Sequence, residues 1–387
     1  MCGRRIVSMF PPDRFRVTSV NAMLYKTYGQ TGKQVSVIGF GGMRFSSPQD
    51  IDANAELLLY AHRKGINYFD TAPFYCDDRS EESFGAAIKH FKPGTFYVSS
   101  KCGVADGSEF RRSLEHSLQR LGVSKIHFFH IWCLLRPGEW EERVTGGAVG
   151  AAFQAKEEGL IEHVVVSSHL EGDHIRELLR AHPIEGVTLG YSAINFTFRQ
   201  AAVDAAGELG RGVVTMNPLG GGVIPRNAQR FDFLRGPGDR SAVEAALRFN
   251  ISQPSITVAL VGFNNKSEVD EACAAVEDFT PYNAAHVQSV RAKTLQSMDG
   301  LCTGCGYCLP CPSGVEIPKM MDAYNQKILG SDGAANAIPD RLKWHWQLTP
   351  EDANVCTLCG TCEDQCTQHL PIRDRLEEIA AINAPKS

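Results

Sequence analysis

The sequence predicts an α/β fold: a parallel (β/α)8 barrel followed by a small α-helical, cysteine-rich module. Three observations carry the prediction. Apolar runs of strand length alternate with amphipathic helical stretches eight times before residue 280, the rhythm of strands joined by crossover helices. Polar residues and glycines recur at the carboxyl ends of those runs, where a barrel gathers its site. Eight of the 13 cysteines lie between Cys302 and Cys366, and such crowding needs its own explanation.

Bulk properties narrow the function. With 387 residues the chain is long enough for one large core and a small appendage. Apolar content of 43% and charged content of 21% describe a globular protein. A net charge of −5 without a Lys/Arg cluster argues against nucleic acid as a partner. No run approaches the roughly 20 apolar residues of a membrane span. Arg4-Arg5 precedes too short an apolar stretch for a secretory signal. Cys2, Cys76, Cys102, Cys133 and Cys273 are scattered and read as small buried hydrophobes in a reducing cytoplasm. Residues 1–22 match nothing downstream and are expected to be a disordered N-terminal extension or the product of an upstream start codon. The barrel is expected over 23–297 and the cysteine module over 298–387.

In chain order, Leu24 to Tyr28, a turn at Gly29 to Gly32 and Val35 to Phe40 predict a short hairpin. The eight barrel strands are expected at Val37–Gly41, Asn67–Asp70, Thr95–Ser99, Ile126–Cys133, His163–Ser167, Val187–Ala193, Val213–Asn217 and Thr257–Val261. Asp173–Ala181 and Ala242–Gln253 exemplify the intervening helices. The structural rival is a doubly wound open sheet. Its Gly-x-Gly-x-x-Gly signature is missing after the first strand, which offers only Gly39-Phe40-Gly41-Gly42.

The strand ends then list what a barrel mouth would display. The first gives Gly42, Met43 and Arg44, and the second Asp70 and Tyr75. The third gives Lys101, the fourth His130 and Trp132, and the fifth Ser167, Ser168 and His169. The sixth gives Tyr191 and Asn195, the seventh Met216, Asn217, Pro218, Leu219 and Gly220. The eighth gives Gly262, Phe263 and Asn264. At the second strand, the run Ile66 to Phe69 meets Pro73, which fixes φ and has no N–H to donate. The strand should stop near Asp70 and leave Asp70 and Tyr75 on the loop, with Ser80 as N-cap of the next helix. Taken alone, an ordinary strand-to-helix loop is an equal reading.

Together these segments resemble the aldo/keto reductase family from about residue 23 to 295. The matching stretches are Gly39-Phe40-Gly41-Gly42-Met43, Phe69-Asp70-Thr71-Ala72-Pro73-Phe74-Tyr75 with Gly85, Ser99-Ser100-Lys101-Cys102-Gly103, Ser167-Ser168-His169 and Pro218-Leu219-Gly220-Gly221-Gly222. With the cysteine tail, the chain is similar to the branch fused to a ferredoxin-like domain. The resemblance implies a TIM barrel that interconverts a small carbonyl compound and its alcohol with a nicotinamide cofactor. It implies Tyr75 as acid/base, Lys101 as the cation that lowers the phenol's pKa from roughly 10, and Asp70 as the residue that orients Lys101. Ser167, Ser168 and Asn195 are implied to hold the carboxamide end of the nicotinamide. A buried ion pair at a barrel rim is the bland reading of Asp70 and Lys101.

Two positions depart from the family. The histidine that usually ends the fourth strand is Trp132 here. His130 lies on the same face about 7 Å deeper; it either substitutes or is a satisfied interior histidine. The tyrosine that often stacks on the nicotinamide is Met216, which still packs against a ring, less rigidly. After the eighth strand, Gly262-Phe263-Asn264-Asn265 carries no charge and Glu268 falls where an arginine is common. A carboxylate repels a 2′-phosphate, so NAD(H) is expected over NADP(H). Trp132, Phe74, Phe196 and Phe198 hint at an apolar or aromatic pocket, or simply fill space.

In the tail, Cys302, Cys305, Cys308 and Cys311 recur every third residue, and Cys356, Cys359, Cys362 and Cys366 follow. Three cysteines at C-x2-C-x2-C wrap one cubane while a fourth reaches across to the other cluster. Cys302, Cys305, Cys308 and Cys366 are therefore assigned to one 4Fe–4S cluster, and Cys311, Cys356, Cys359 and Cys362 to a second. Zinc normally takes paired C-x2-C units, and disulfides need an oxidising compartment. Helices are expected at Ile317–Leu329 and Asp374–Ile382, with a mobile loop at Gly330–Ala337. Nicotinamide moves two electrons as hydride and clusters pass them singly. Three roles for the tail stay open: exchange with a ferredoxin or flavoprotein partner, single-electron supply to the mouth, or structural support. The rival to the enzyme reading is an electron-transfer module whose barrel docks a redox partner or another cofactor, and Trp132 and Met216 favour it.

Overall fold

The computed structural model describes residues 23–135, 137–297, 301–302, 306, 308–329, 337–366 and 370–383. The expectations for residues 1–22, for Cys305, for residues 330–336 and for the Phe198 side chain lie outside the described residues.

Strands β1 (Tyr25–Thr27) and β2 (Gln34–Ser36) form the expected antiparallel hairpin, in register from Thr27 opposite Gln34. It plugs the end of the barrel where the strands begin. Tyr28 is fully buried and packs on Phe128, ring centroids 4.3 Å apart. A side chain at Gly186 would meet the Tyr28 hydroxyl at 2.2 Å and one at Gly212 the Tyr28 ring at 2.1 Å, so that plug requires glycine where two strands start.

Eight parallel strands follow: β3 (Ile38–Gly41), β4 (Tyr68–Asp70), β5 (Tyr97–Cys102), β6 (Ile126–Leu134), β7 (Ile161–Ser168), β8 (Gly186–Gly190), β9 (Gly212–Met216) and β10 (Val258–Val261). Pairing of β10 with β3 closes the barrel. Tyr68, Phe128, Val165, Val214 and Val258 fill its interior layer with Tyr28. The larger core lies between strands and helices, where Leu58, Phe84, Phe110, Leu114, Ile175 and Leu247 are buried. Capping fixes the helices locally. Asp106 accepts from the Glu109 N–H to start the helix Gly107–Leu121, and Gly122 at φ 65° ends it.

Three local expectations are corrected. Strand β5 runs on to Cys102 because Lys101 and Cys102 pair with His130 and Ile131; Lys101 therefore stands on a rigid strand. Strand β8 stops at Gly190, since Asn195 Oδ1 accepts from the Ser192 N–H at 2.6 Å and makes a turn there. Ser80 does not cap its helix, whose N-cap position is Arg79. Its hydroxyl donates to the Gly42 carbonyl at 2.8 Å and lies 2.7 Å from Thr71 Oγ1, tying three loops together.

The C-terminal module has its own small core, with Met320, Met321, Leu342, Leu376 and Ile379 buried. Its helix Ile317–Leu329 spans the predicted residues, whereas the last one is Ile372–Ala380. A wide π turn, Leu342–Trp346, leans on the barrel. Among the described residues, no helix is long and apolar enough to cross a membrane.

Candidate active site and cluster module

The carboxyl ends of β4, β5 and β6 bring together four of the predicted residues. Lys101 and Asp70 are each 2% exposed. Lys101 Nζ donates to Asp70 Oδ1 at 2.5 Å and to the Thr71 carbonyl at 2.8 Å. The other carboxylate oxygen of Asp70 accepts from Ser99 Oγ. Both charges are thus paired and hydrogen-bonded, as burial demands. Lys101 Nζ also lies 5.0 Å from the centre of the Tyr75 ring. Trp132 meets that ring edge-on, centroids 5.8 Å apart. Its carbonyl is fixed by Arg143 at 3.1 Å.

Electrostatics here differ from the implied picture. Burial, then the Asp70 charge, holds the Tyr75 phenol well above its ordinary range, against the opposing charge of Arg44. Burial lowers the Lys101 ammonium despite Asp70. Tyr75 therefore keeps its proton throughout the neutral range. His130 is a satisfied interior histidine: fully buried, Nε2 2.8 Å from Thr188 Oγ1 and Nδ1 3.3 Å from the Ser100 carbonyl. Burial and the Lys101 charge lower it to about 4.

The predicted nucleotide contacts divide. Ser167 and Asn195 stand at neighbouring strand ends, 2% and 7% exposed. Ser168 Oγ is occupied, donating to the Leu134 carbonyl and accepting from the Leu170 N–H. Tyr191 does not face the mouth. Its ring stacks on Phe249 in the helical layer and its hydroxyl donates to Gln200 at 2.7 Å, because β8 ends at Gly190 and Tyr191 lies beyond it. Met216 and Leu219 border the mouth half-buried. Pro218 is buried and its carbonyl accepts from Asn250. Asn217 at φ 57° and Gly220, Gly221 and Gly222 at 64°, 67° and 89° curl the chain into a cradle without side chains. Arg226 lies 3.7 Å from where a Gly222 Cβ would stand. An open glycine loop flanked by a guanidinium fits a dinucleotide's pyrophosphate. Gly262, Met43 and Asn264 are exposed. Asn265 caps the helix Lys266–Ala274, accepting from the Glu268 N–H at 3.0 Å, and the Glu268 carboxylate reaches back to accept from the Asn264 N–H at 2.8 Å and from Asn265 Nδ2 at 3.0 Å.

In the module, Cys311, Cys356, Cys359 and Cys362 line one cleft, with Cys308 beside them. Cys302, Cys308 and Cys366 pack against the same small core. Among the described residues, Cys311, Cys356, Cys359, Cys362 and Cys366 are joined in no disulfide. Among the described residues, no three His, Cys, Asp or Glu side chains converge as a single-ion site. An all-cysteine set in this spacing fits cubanes.

Sequence reading missed the residues that join the module to the barrel. His345 packs against His169, and its Cε1 lies 3.6 Å from where a Gly190 Cβ would stand. Arg199, 1% exposed, lies over the Trp346 ring at 5.1 Å. No local pattern announces such long-range partners.

The fold is that of the aldo/keto reductases. The chain belongs to the aldo/keto reductase family, whose model matches residues 37–294, and it carries a 4Fe–4S dicluster domain matched over residues 301–371. It is 26% identical over 283 residues to L-galactose dehydrogenase of Arabidopsis thaliana, covering 65% of this chain and 88% of that one. It is 27% identical over 231 residues to the NADH-specific methylglyoxal reductase of Escherichia coli, covering 54% and 69%. In structure it is similar to the aldo-keto reductase AKR11C1 from Bacillus halodurans in its holo form. That likeness has a TM-score of 0.61 at 22% identity and covers 70% of this chain and 96% of the other.

Proposed function

We propose that the chain interconverts a small carbonyl compound and its alcohol with NAD(H), through Tyr75, Lys101 and Asp70. One observation carries the reading: a buried, carboxylate-held ammonium lies 5.0 Å from the ring of a phenol at the barrel mouth. Bound in the mouth, the nicotinamide supplies or accepts the hydride. Tyr75, kept neutral by burial, gives its proton to the carbonyl oxygen during reduction. Lys101 stabilises the phenolate left behind, and the Asp70 and Thr71 bonds fix Lys101 in place. Trp132 shields one edge of Tyr75 from water. Ser167 and Asn195 orient the nicotinamide, and the Gly220–Gly222 loop with Arg226 receives the pyrophosphate. Met216, Leu219 and Asn217 pack beneath it.

Preference for NAD(H) rests on the uncharged Asn264-Asn265 loop and on Glu268. The name of the Escherichia coli relative, an NADH-specific methylglyoxal reductase, agrees with it. Cys302, Cys305, Cys308 and Cys366 hold one cluster, and Cys311, Cys356, Cys359 and Cys362 the other. The exposed Cys359 favours exchange of single electrons with a ferredoxin or flavoprotein partner. Such clusters suit a reducing cytoplasm.

The test is anaerobic mixing of the holoprotein with NADH and a panel of carbonyl compounds, read as absorbance loss. Turnover that Tyr75→Phe abolishes supports the reading. No oxidation of NADH with any carbonyl, beside intact nucleotide binding, overturns it.

A further inference from the structure

We propose that Arg44 binds a carboxylate on the substrate, so that the preferred carbonyl compounds are 2-oxo acids with an apolar or aromatic body. The inference rests on the carbonyl-reductase reading and names its substrate class.

Arg44 sits on a loop laced to the one bearing Tyr75. On one side of it, the Gly42 N–H donates to the Asp70 carbonyl at 2.8 Å and the Gly42 carbonyl accepts from Ser80 Oγ at 2.8 Å. On the other side, the Phe45 N–H donates to Cys76 Sγ at 3.4 Å. The stem of Arg44 lies against the end of β10, its Cβ 3.8 Å from where a Gly262 Cβ would stand. The guanidinium is exposed, and no carboxylate pairs with it among the described residues. Its charge reaches both the Tyr75 hydroxyl and the Cys76 thiol. Lys101, beside the Tyr75 ring, is neutralised by Asp70 at 2.5 Å. Arg44 is thus left to face an anion in the mouth.

The surroundings supply the rest of the substrate. Met43 is 55% exposed and Phe74 78% exposed, on the two laced loops. Phe74 sits at φ 68°, a conformation that a bulky residue rarely adopts. Its N–H donates to Asp78 Oδ1 at 3.1 Å, and Arg120 donates to the same oxygen at 2.7 Å. An aromatic ring held out to solvent by a strained, braced loop suggests a ligand that covers it. Trp132 closes the other side of Tyr75. A fork of N–H donors recognises a carboxylate bidentately. With a 2-oxo acid, the carbonyl beside that carboxylate then falls toward Tyr75. Hydride from NADH adds to the carbonyl carbon and the Tyr75 proton to its oxygen. The C=O π bond is lost and NAD⁺ leaves with a 2-hydroxy acid.

The experiment compares phenylglyoxylate with its uncharged methyl ester in the anaerobic holoprotein, for wild type, Arg44→Gln and Arg44→Lys. Arg44→Gln should cut kcat/KM for the acid by about ten- to hundredfold, chiefly through KM. The ester should change at least tenfold less, with Arg44→Lys between. Benzoate binding to the NADH-loaded protein, followed by calorimetry, should weaken in parallel and needs no turnover. Equal losses for acid and ester overturn the inference. So does undiminished benzoate binding, or a loss confined to ADP-ribose affinity, which would place Arg44 on the nucleotide's phosphates. If wild type reduces neither compound but oxidises NADH with other carbonyls, the inference falls and the reductase reading stands; if it oxidises NADH with no carbonyl, the reductase reading falls while the benzoate titration still decides the role of Arg44.

Discussion

His345, from the iron–sulfur module, lies edge-on against His169, the residue that follows β7, with ring centroids 4.5 Å apart. Burial and the nearby Arg199 and Arg341 charges hold both imidazoles well below their usual range, so the contact is one of neutral rings. Asn227 Nδ2 donates to the Leu329 carbonyl at 2.5 Å and adds a second tie. The module is therefore a wall of the barrel mouth near Asn195. Because metal binding supplies folding free energy to so small a domain, iron removal should loosen that wall. Hydrogen exchange should speed up around residues 169–170 and 199 in iron-depleted protein, while β4 and β5 stay protected. Unchanged exchange there would show that the module is held without its clusters.

Tyr75→Phe removes the hydroxyl proposed as the proton donor but keeps the ring that Trp132 meets. Reduction should fall by about two to four orders of magnitude, with the NADH dissociation constant within about twofold. Because the phenol is held well above its ordinary range, wild-type reduction should stay level as pH rises through 9. A kcat that falls from about pH 7 would mean that a different acid donates.

His130 makes the acid side of the stability curve predictable. Its folded value of about 4 lies below the ordinary 6.5, so the unfolded chain binds the extra proton between those limits. The stabilisation is whole above about 6.5 and is lost as pH falls toward 4. Between pH 7 and 5 it should amount to about 2 kcal/mol. Urea unfolding of wild type and His130→Gln at both pH values measures it as the difference in their pH dependence. Parallel curves would remove His130 from the balance.

The sequence carried the barrel and the acid–cation pair because both are written locally. Alternation places Asp70 and Lys101 inward on their own strands, and Pro73 ends one of them where a loop must begin. The same rule misled at Tyr191, where the strand stops short and the ring turns toward Phe249. Ser80 has the type of an N-cap but serves three loops instead, a tertiary demand that no window of sequence displays. His345 and Arg199 were invisible for the same reason: their meaning lies in partners far along the chain.

Glu268 offers a direct test of nucleotide choice. Its carboxylate accepts from the Asn264 N–H and Asn265 Nδ2, and in the proposed NAD(H) reading it stands beside the adenosine end of the dinucleotide. A 2′-phosphate would meet that fixed negative charge, whereas a 2′-hydroxyl would not. Glu268→Gln keeps an oxygen for the Asn264 N–H and so preserves the cap, but removes the charge. The dissociation constant for NADPH should drop by about five- to tenfold, against less than twofold for NADH; a shift of that size matches about 1 kcal/mol for a partly exposed charge pair. Raising the salt from 50 to 500 mM should narrow the wild-type gap between the nucleotides and leave the variant's gap nearly unchanged. Tighter binding of NADPH than NADH by the wild type would exclude Glu268 as the discriminator, and titration of nucleotide fluorescence reads all of these constants.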